Sequence, residues 1–161
     1  MNESSSVRLA CYGIHKKLPF VVVASRSGYL GCYVGMSKKI RKMFTTDMMD
    51  ENITYDSMDP PSVEGIPSKP HAEWWIGFST YGINKKPFVS VPSVEVLNKY
   101  FFDIDERDYV CALGAIQRRI ESLQLVGQTM FIDEKTCDSM CNYMIEEIDT
   151  LIGGKLLDER L

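Results

Sequence analysis

The spacing of apolar and polar positions divides the chain into a strand-like first half and a helical second half. The short apolar run from Val7 to Ile14 reads as a strand. In PFVVVASRSGYLGCYVGM, the β-branched Val21, Val22 and Val23 precede a Ser-Arg-Ser-Gly turn and an aromatic-rich run, the pattern of a β-hairpin. Ser37 then caps a short helix in SKKIRKMF, where Ile40, Met43 and Phe44 share one face. A further strand is expected over Ile53 to Tyr55. The following DPPSVEGIPSKP holds four of the seven prolines and predicts an ordered loop or a flexible flap, because proline excludes regular pairing. Aromatic and β-branched content makes AEWWIGFST a central strand, with Trp75 and Gly77 on one face and Trp74, Ile76 and Phe78 on the other.

Beyond this strand, YGINKKPFVSVP reads as a turn followed by an extended piece, and Ser93 caps a helix with Val96, Leu97, Tyr100 and Phe101 as its apolar stripe. Two longer helices follow. In the first, Glu106 to about Val126, the residues Tyr109, Val110, Leu113, Ile116, Ile120 and Leu123 recur at helical spacing up to Gly127. The second, Asp133 to about Leu151, buries Cys137, Met140, Cys141, Met144, Ile145 and Ile148 and stops at Gly153 and Gly154. Strands over 7–80 followed by helices over 93–152 predict one α+β domain spanning 1–161. Its antiparallel sheet of about four to five strands should pack against the C-terminal helices.

Composition narrows the function classes. A chain of 161 residues with 45% hydrophobic residues can close a core. A net charge of -4 gives no general attraction to nucleic acid, so direct sequence-specific DNA binding is not expected. No apolar run approaches the roughly 18 residues of a membrane span, and MNESSSVRLA has no basic-then-apolar leader, which predicts a cytoplasmic protein without a membrane partner. Five cysteines, an odd and scattered number, read as free thiols in a reducing compartment.

The chain carries no Gly-x-Ser-x-Gly elbow, phosphate-cradling glycine loop or His-Glu-x-x-His pair, so no catalytic set, cofactor or metal is expected. Cys137 and Cys141 lie four apart on a helix, but a structural zinc needs four ligands and both sit on the apolar stripe. His15 or His71 could serve as a general base with a neighbouring carboxylate such as Glu73, and His71 with Glu73 is the pairing a hydrolase would use. For binding, Lys38, Lys39, Arg41 and Lys42, with Arg26, follow Tyr29 and Tyr33 closely enough to suggest, with Trp74, a nucleotide stacked and neutralised at one place. Trp74 and Trp75 must face opposite sides of a strand, so either one anchors a ligand or partner on the face away from the core, or helices cover both faces and both rings are packing. The stretch Asp47 to Asp59, without Lys or Arg, offers Asp50, Glu51, Asp56 and Asp59 to a basic groove as a phosphate backbone would.

The segments GYLGCYVGM (Gly28 to Met36) and WWIGF (Trp74 to Phe78), in this order and separation, resemble a family of small uncharacterised proteins of bacteriophages and prophages. In that family a GYVGVP-like strand precedes HGGLTY-like and WWIGFD-like strands. Ile53-Thr54-Tyr55 matches the end of the middle motif, and the likeness covers residues 20 to 80. Asp50-Glu51-Asn52 replaces the family's His-Gly-Gly, and Ser79, Thr80 and Tyr81 stand where its Asp and His follow. The resemblance implies a phage or mobile-element origin without the chemistry of those polar groups. The leading expectation is a non-enzymatic phage accessory protein in the cytoplasm of a bacterial host. It would bind and inhibit a host protein or ribonucleoprotein complex, foremost a defence system such as CRISPR-Cas. A protein sequestering a signalling nucleotide and a small hydrolase are the alternatives.

Overall fold

A computed structural model describes residues 6–85 and 88–161. Five strands, β1 (Val7–His15), β2 (Leu18–Ser25), β3 (Leu30–Met36), β4 (Tyr55–Ser57) and β5 (Trp74–Ser79), form an antiparallel sheet in the order β1-β2-β3-β5-β4. Two residues with positive φ, Lys16 and Lys17, make the tight turn between β1 and β2. That backbone matches the twist of the flanking strands. Lys16 is anchored there by Glu146 at 2.7 Å and Asp149 at 2.8 Å. The β1–β2 register shifts between Leu9 and Cys11, a bulge on an edge strand. Gly28, at φ 90°, closes the predicted Ser-Arg-Ser-Gly turn between β2 and β3.

The strand expected over Ile53 to Tyr55 begins later, at Tyr55, and runs along the sheet edge. Its position follows from Gly77, which pairs with Tyr33 on one side and Tyr55 on the other. The two rings meet edge to face over it, 5.5 Å apart, and a Cβ on Gly77 would lie 2.4 Å from Tyr33 Cδ1. The segment read as a central strand, β5, is interior but one place from the edge.

Alternation assigns each strand residue to a layer. Phe20, Val22, Ala24, Leu30, Cys32, Val34, Met36, Ile76 and Phe78 face inward into the main core. Across them lies α4 (Glu134–Leu151), which buries Cys137, Cys141, Met144, Ile145 and Ile148; α2 (Val94–Tyr100) adds Val96 and Leu97, with Phe101 following it. Fully burying an aliphatic side chain of this size contributes about 1.5–3 kcal/mol, so this interface carries most of the fold's stability. On the outer face Val21, Val23 and Trp75 are covered by Val63, Ile66 and Ala72 of the proline-rich segment. That segment is an ordered cover, tied down where Tyr12 Oη donates to the Lys69 carbonyl (3.0 Å) and Tyr55 Oη to that of Asp59 (2.6 Å).

Other departures from the sequence pattern have local causes. The helix after Ser37, α1 (Lys38–Arg41), is one turn long; Ile40 and Phe44 are buried while Met43 turns outward. The first long helix, α3 (Glu106–Gln124), packs chiefly on α2 and on the short extended segment that follows it rather than on the main sheet, which leaves Val110 of its expected stripe 59% exposed. A second small sheet joins β6 (Asn84–Lys85), β7 (Phe88–Ser90) and β8 (Gln128–Met130), with β7 and β8 parallel. The extended piece read in YGINKKPFVSVP supplies β7, but β8 had no sequence signal, because strands of two or three residues are too short to carry a period. Among the described residues no helix is long and apolar enough to cross a membrane.

Candidate functional site

Of the aromatic and cationic residues proposed for a nucleotide, the structure brings Arg41 and Trp74 together and sets Tyr29 and Tyr33 elsewhere. Tyr29 sits at the start of β3, buried against Tyr81 at 5.1 Å, and Arg119 lies over the Tyr81 ring at 4.7 Å. Tyr33 points to the outer face, against Tyr55. Lys38 and Arg41 lie past the far end of β3, roughly 20 Å from Tyr29 at the rise of a strand. Arg26 is at the Tyr29 end, 3.9 Å from Asp108. Strand alternation and strand length therefore separate groups that the linear sequence sets close together.

Arg41 is already paired. It grips Asp56 with two N–H groups, Nε at 2.9 Å and Nη2 at 2.7 Å, and Trp74 Nε1 donates to the same carboxylate at 2.6 Å. Arg41 holds the Asp56 carboxyl below its usual range, assisted by Trp74 and opposed by partial burial. This trio joins α1, β4 and β5 and leaves none of its three members free to hold a ligand. Asp59 is exposed at the start of the proline segment. The acidic stretch is thus divided among three places rather than presented as one surface.

Its remaining members, Asp50 and Glu51, rim a cavity of about 660 Å³ between the main sheet, the chain entering β6, and α4. Phe78, Ile83 and Met140 supply apolar wall, and Asp50, Glu51 and Tyr143 supply most of its chemistry. Tyr143 Oη donates to Asp50, which pushes the phenol up to about 12, and the Asp50 N–H donates to Glu147 Oε2 at 2.9 Å. Glu51 Oε2 and Glu147 Oε1 are shielded from solvent and lack a hydrogen-bond partner. Burial first, then the Glu147 carboxyl beside it, pushes Glu51 up to about 8. A second hollow of about 130 Å³ shares Ile83, Thr136 and Met140 with the first and continues between Phe88, Met130 and Ile132. Asp50 and Glu51 were identifiable from charge. Tyr143 and Glu147 were not, although their spacing of four on a helix puts both on one face.

A separate cavity of about 630 Å³ lies on the outer face beneath the proline segment, with Trp75, Lys38, His71 and Glu73 in its lining. Trp75, 4% exposed, is mainly core and Trp74 is half-buried, so neither ring stands free as an anchor. His71 and Glu73 share this cavity, but Glu73 Oε1 accepts from the Lys38 N–H at 3.2 Å, at the start of α1. His15 is engaged with Glu146 at 2.9 Å. Cys137 and Cys141 are buried with Cys32, whose thiol is pushed well up by its neighbours and by burial. Among the described residues no three His, Cys, Asp or Glu side chains gather as a metal site, and all five cysteines are free. Comparison of the chain with protein-family models, with curated proteins and with solved structures returns no match.

Proposed function

We propose that the chain is a phage-encoded accessory protein that binds and blocks a host factor in the bacterial cytoplasm, docking a basic element of a defence complex such as CRISPR-Cas at the acid-rimmed cavity. One observation carries the reading: a concave, largely apolar cavity in which the charged lining residues, Asp50 and Glu51, are both carboxylates. Apolar wall supplies contact area, and the acidic rim, Asp50 ionised and Glu51 holding a proton that an approaching cation can displace, selects a basic partner. The origin rests on the GYLGCYVGM and WWIGF motifs.

The test is expression in a bacterium with active CRISPR-Cas immunity. Phage plating should recover by orders of magnitude, and Asp50→Lys with Glu51→Lys should remove the effect while the melting curve stays cooperative. Immunity left intact by the parent protein sinks the proposal. A hydrolase reading retains one favourable observation, that His71 and Glu73 line a common cavity. Inhibition that survives His71→Ala disposes of it. Nucleotide sequestration by Tyr29, Tyr33, Trp74, Lys38 and Arg41 has less support, because only Arg41 and Trp74 are held together, both by Asp56.

A further inference from the structure

The cavity on the outer face of the sheet shares no lining residue with the acid-rimmed one. It holds about 630 Å³ between β5 and the proline-rich segment, a size that suits a small molecule. Val63, Ile66 and Pro67 give it apolar walls, and Trp75, 4% exposed, lines it from β5. Three side chains bring N–H donors to this space: the Lys38 ammonium, the Trp75 indole and the His71 ring. None of the three has a hydrogen-bond or ion-pair partner for these groups among the described residues. Glu73 is the one carboxylate in the lining, and its Oε1 already accepts the Lys38 backbone N–H at 3.2 Å.

We propose that this cavity binds a small monocarboxylic acid with an apolar body, its carboxylate on the Lys38 ammonium, with the Trp75 and His71 N–H groups as further donors. The body lies against Val63, Ile66 and Pro67, where burial of hydrocarbon is favourable. Lys38 is the only Lys or Arg in the lining, so it matches one negative charge. A phosphate, which carries more than one, would leave charge uncompensated beside Glu73. An amine would meet the Lys38 charge and leave all three donors unserved. The walls are in place before a ligand arrives, because Tyr12 and Tyr55 tie the proline segment down, and little ordering opposes binding.

The experiment is titration calorimetry of the full chain at pH 7 with phenylacetate, indole-3-acetate, phenylacetamide, phenethylamine and inorganic phosphate. Both acids should bind with Kd below about 1 mM, the larger ring more tightly. Phenylacetamide, of the same shape without the charge, should bind about tenfold more weakly, and phenethylamine and phosphate should not bind. Lys38→Met keeps the apolar stem and the backbone N–H to Glu73; it should weaken phenylacetate about tenfold and change phenylacetamide little. If that variant fails to fold, Ser68→Trp, at an exposed position in the lining, should fill the space and block both acids. Bound acid should slow hydrogen exchange over residues 58–73 and leave α4 unchanged. No binding of either acid at about 10 mM, equal affinity for acid and amide, or parent-like phenylacetate binding by Lys38→Met overturns the assignment. Asp50→Lys with Glu51→Lys should leave acid binding intact, so a failure here and a failure of the proposed function are read separately.

Discussion

The two faces of the five-stranded sheet are closed in different ways. Inward, Val22 and its neighbours lie under α4, a helix with caps, a continuous apolar stripe and five fully buried side chains. Outward, Val21, Val23 and Trp75 lie under a proline-rich segment without regular structure between β4 and β5. Both coverings exclude water; Val21 and Val22, adjacent in sequence, are each 0% exposed. They differ in how they resist change. A helix moves as a rigid body and leaves a void where a side chain is trimmed, whereas an irregular segment held by a few hydrogen bonds can settle into the gap.

The adjacent valines give the largest test of that difference. Val22→Ala should cost about 2–3 kcal/mol in urea unfolding and Val21→Ala about half as much, because only the outer cover can collapse. Equal losses would mean that the proline segment is as stiff as α4. Removing one tie should have a smaller effect: Tyr12→Phe, which deletes the bond to the Lys69 carbonyl, should cost about 1 kcal/mol. It should also raise hydrogen exchange over residues 58–73 while leaving α4 unchanged.

A third effect is one of pH, and it belongs to the inner covering. Glu51 is raised from 4.5 to about 8, so the folded chain holds a proton that the unfolded chain releases. Its contribution to stability is therefore fully present below 4.5, falls as pH rises toward about 8, and is level beyond. Glu51→Gln should match the parent near pH 4.5 and become relatively more stable up to about pH 8, as read from melting temperature. Exchange over residues 58–73 should not follow this titration. A parent and variant that differ equally at all pH values would place the Glu51 effect in packing rather than ionisation.

The same contrast explains what could be read from the chain. The inner layer was legible because each element has a period and a stop: Ser93, Asp133 and Gly127 mark helix ends, and the strands alternate. The outer cover was legible only by exclusion. Prolines ruled out a strand, but nothing local showed that Val63, Ile66 and Ala72 would roof Trp75. The candidate site was half legible. Charge drew attention to Asp50 and Glu51, but Tyr143 and Glu147 reach them from more than 90 residues away, and that distance has no local signature. Closeness in sequence is not closeness in space for the residues around β3: one pleat turns Tyr33 from the inner face and a strand's length parts Tyr29 from Lys38, while Arg41 and Trp74, 33 positions apart, meet at Asp56.

The shift between Leu9 and Cys11 bears on how the molecule meets its own copies. β1 is nine residues long and, among the described residues, has no strand on its outer side, a template onto which another chain could polymerise. With one residue too many at Ala10, an incoming strand finds its hydrogen-bonding rhythm broken after Leu9, and Arg8 is drawn aside to Asp103 at 2.8 Å. Straightening that kink by deleting Ala10 would give the edge an unbroken ladder and favour fibrils.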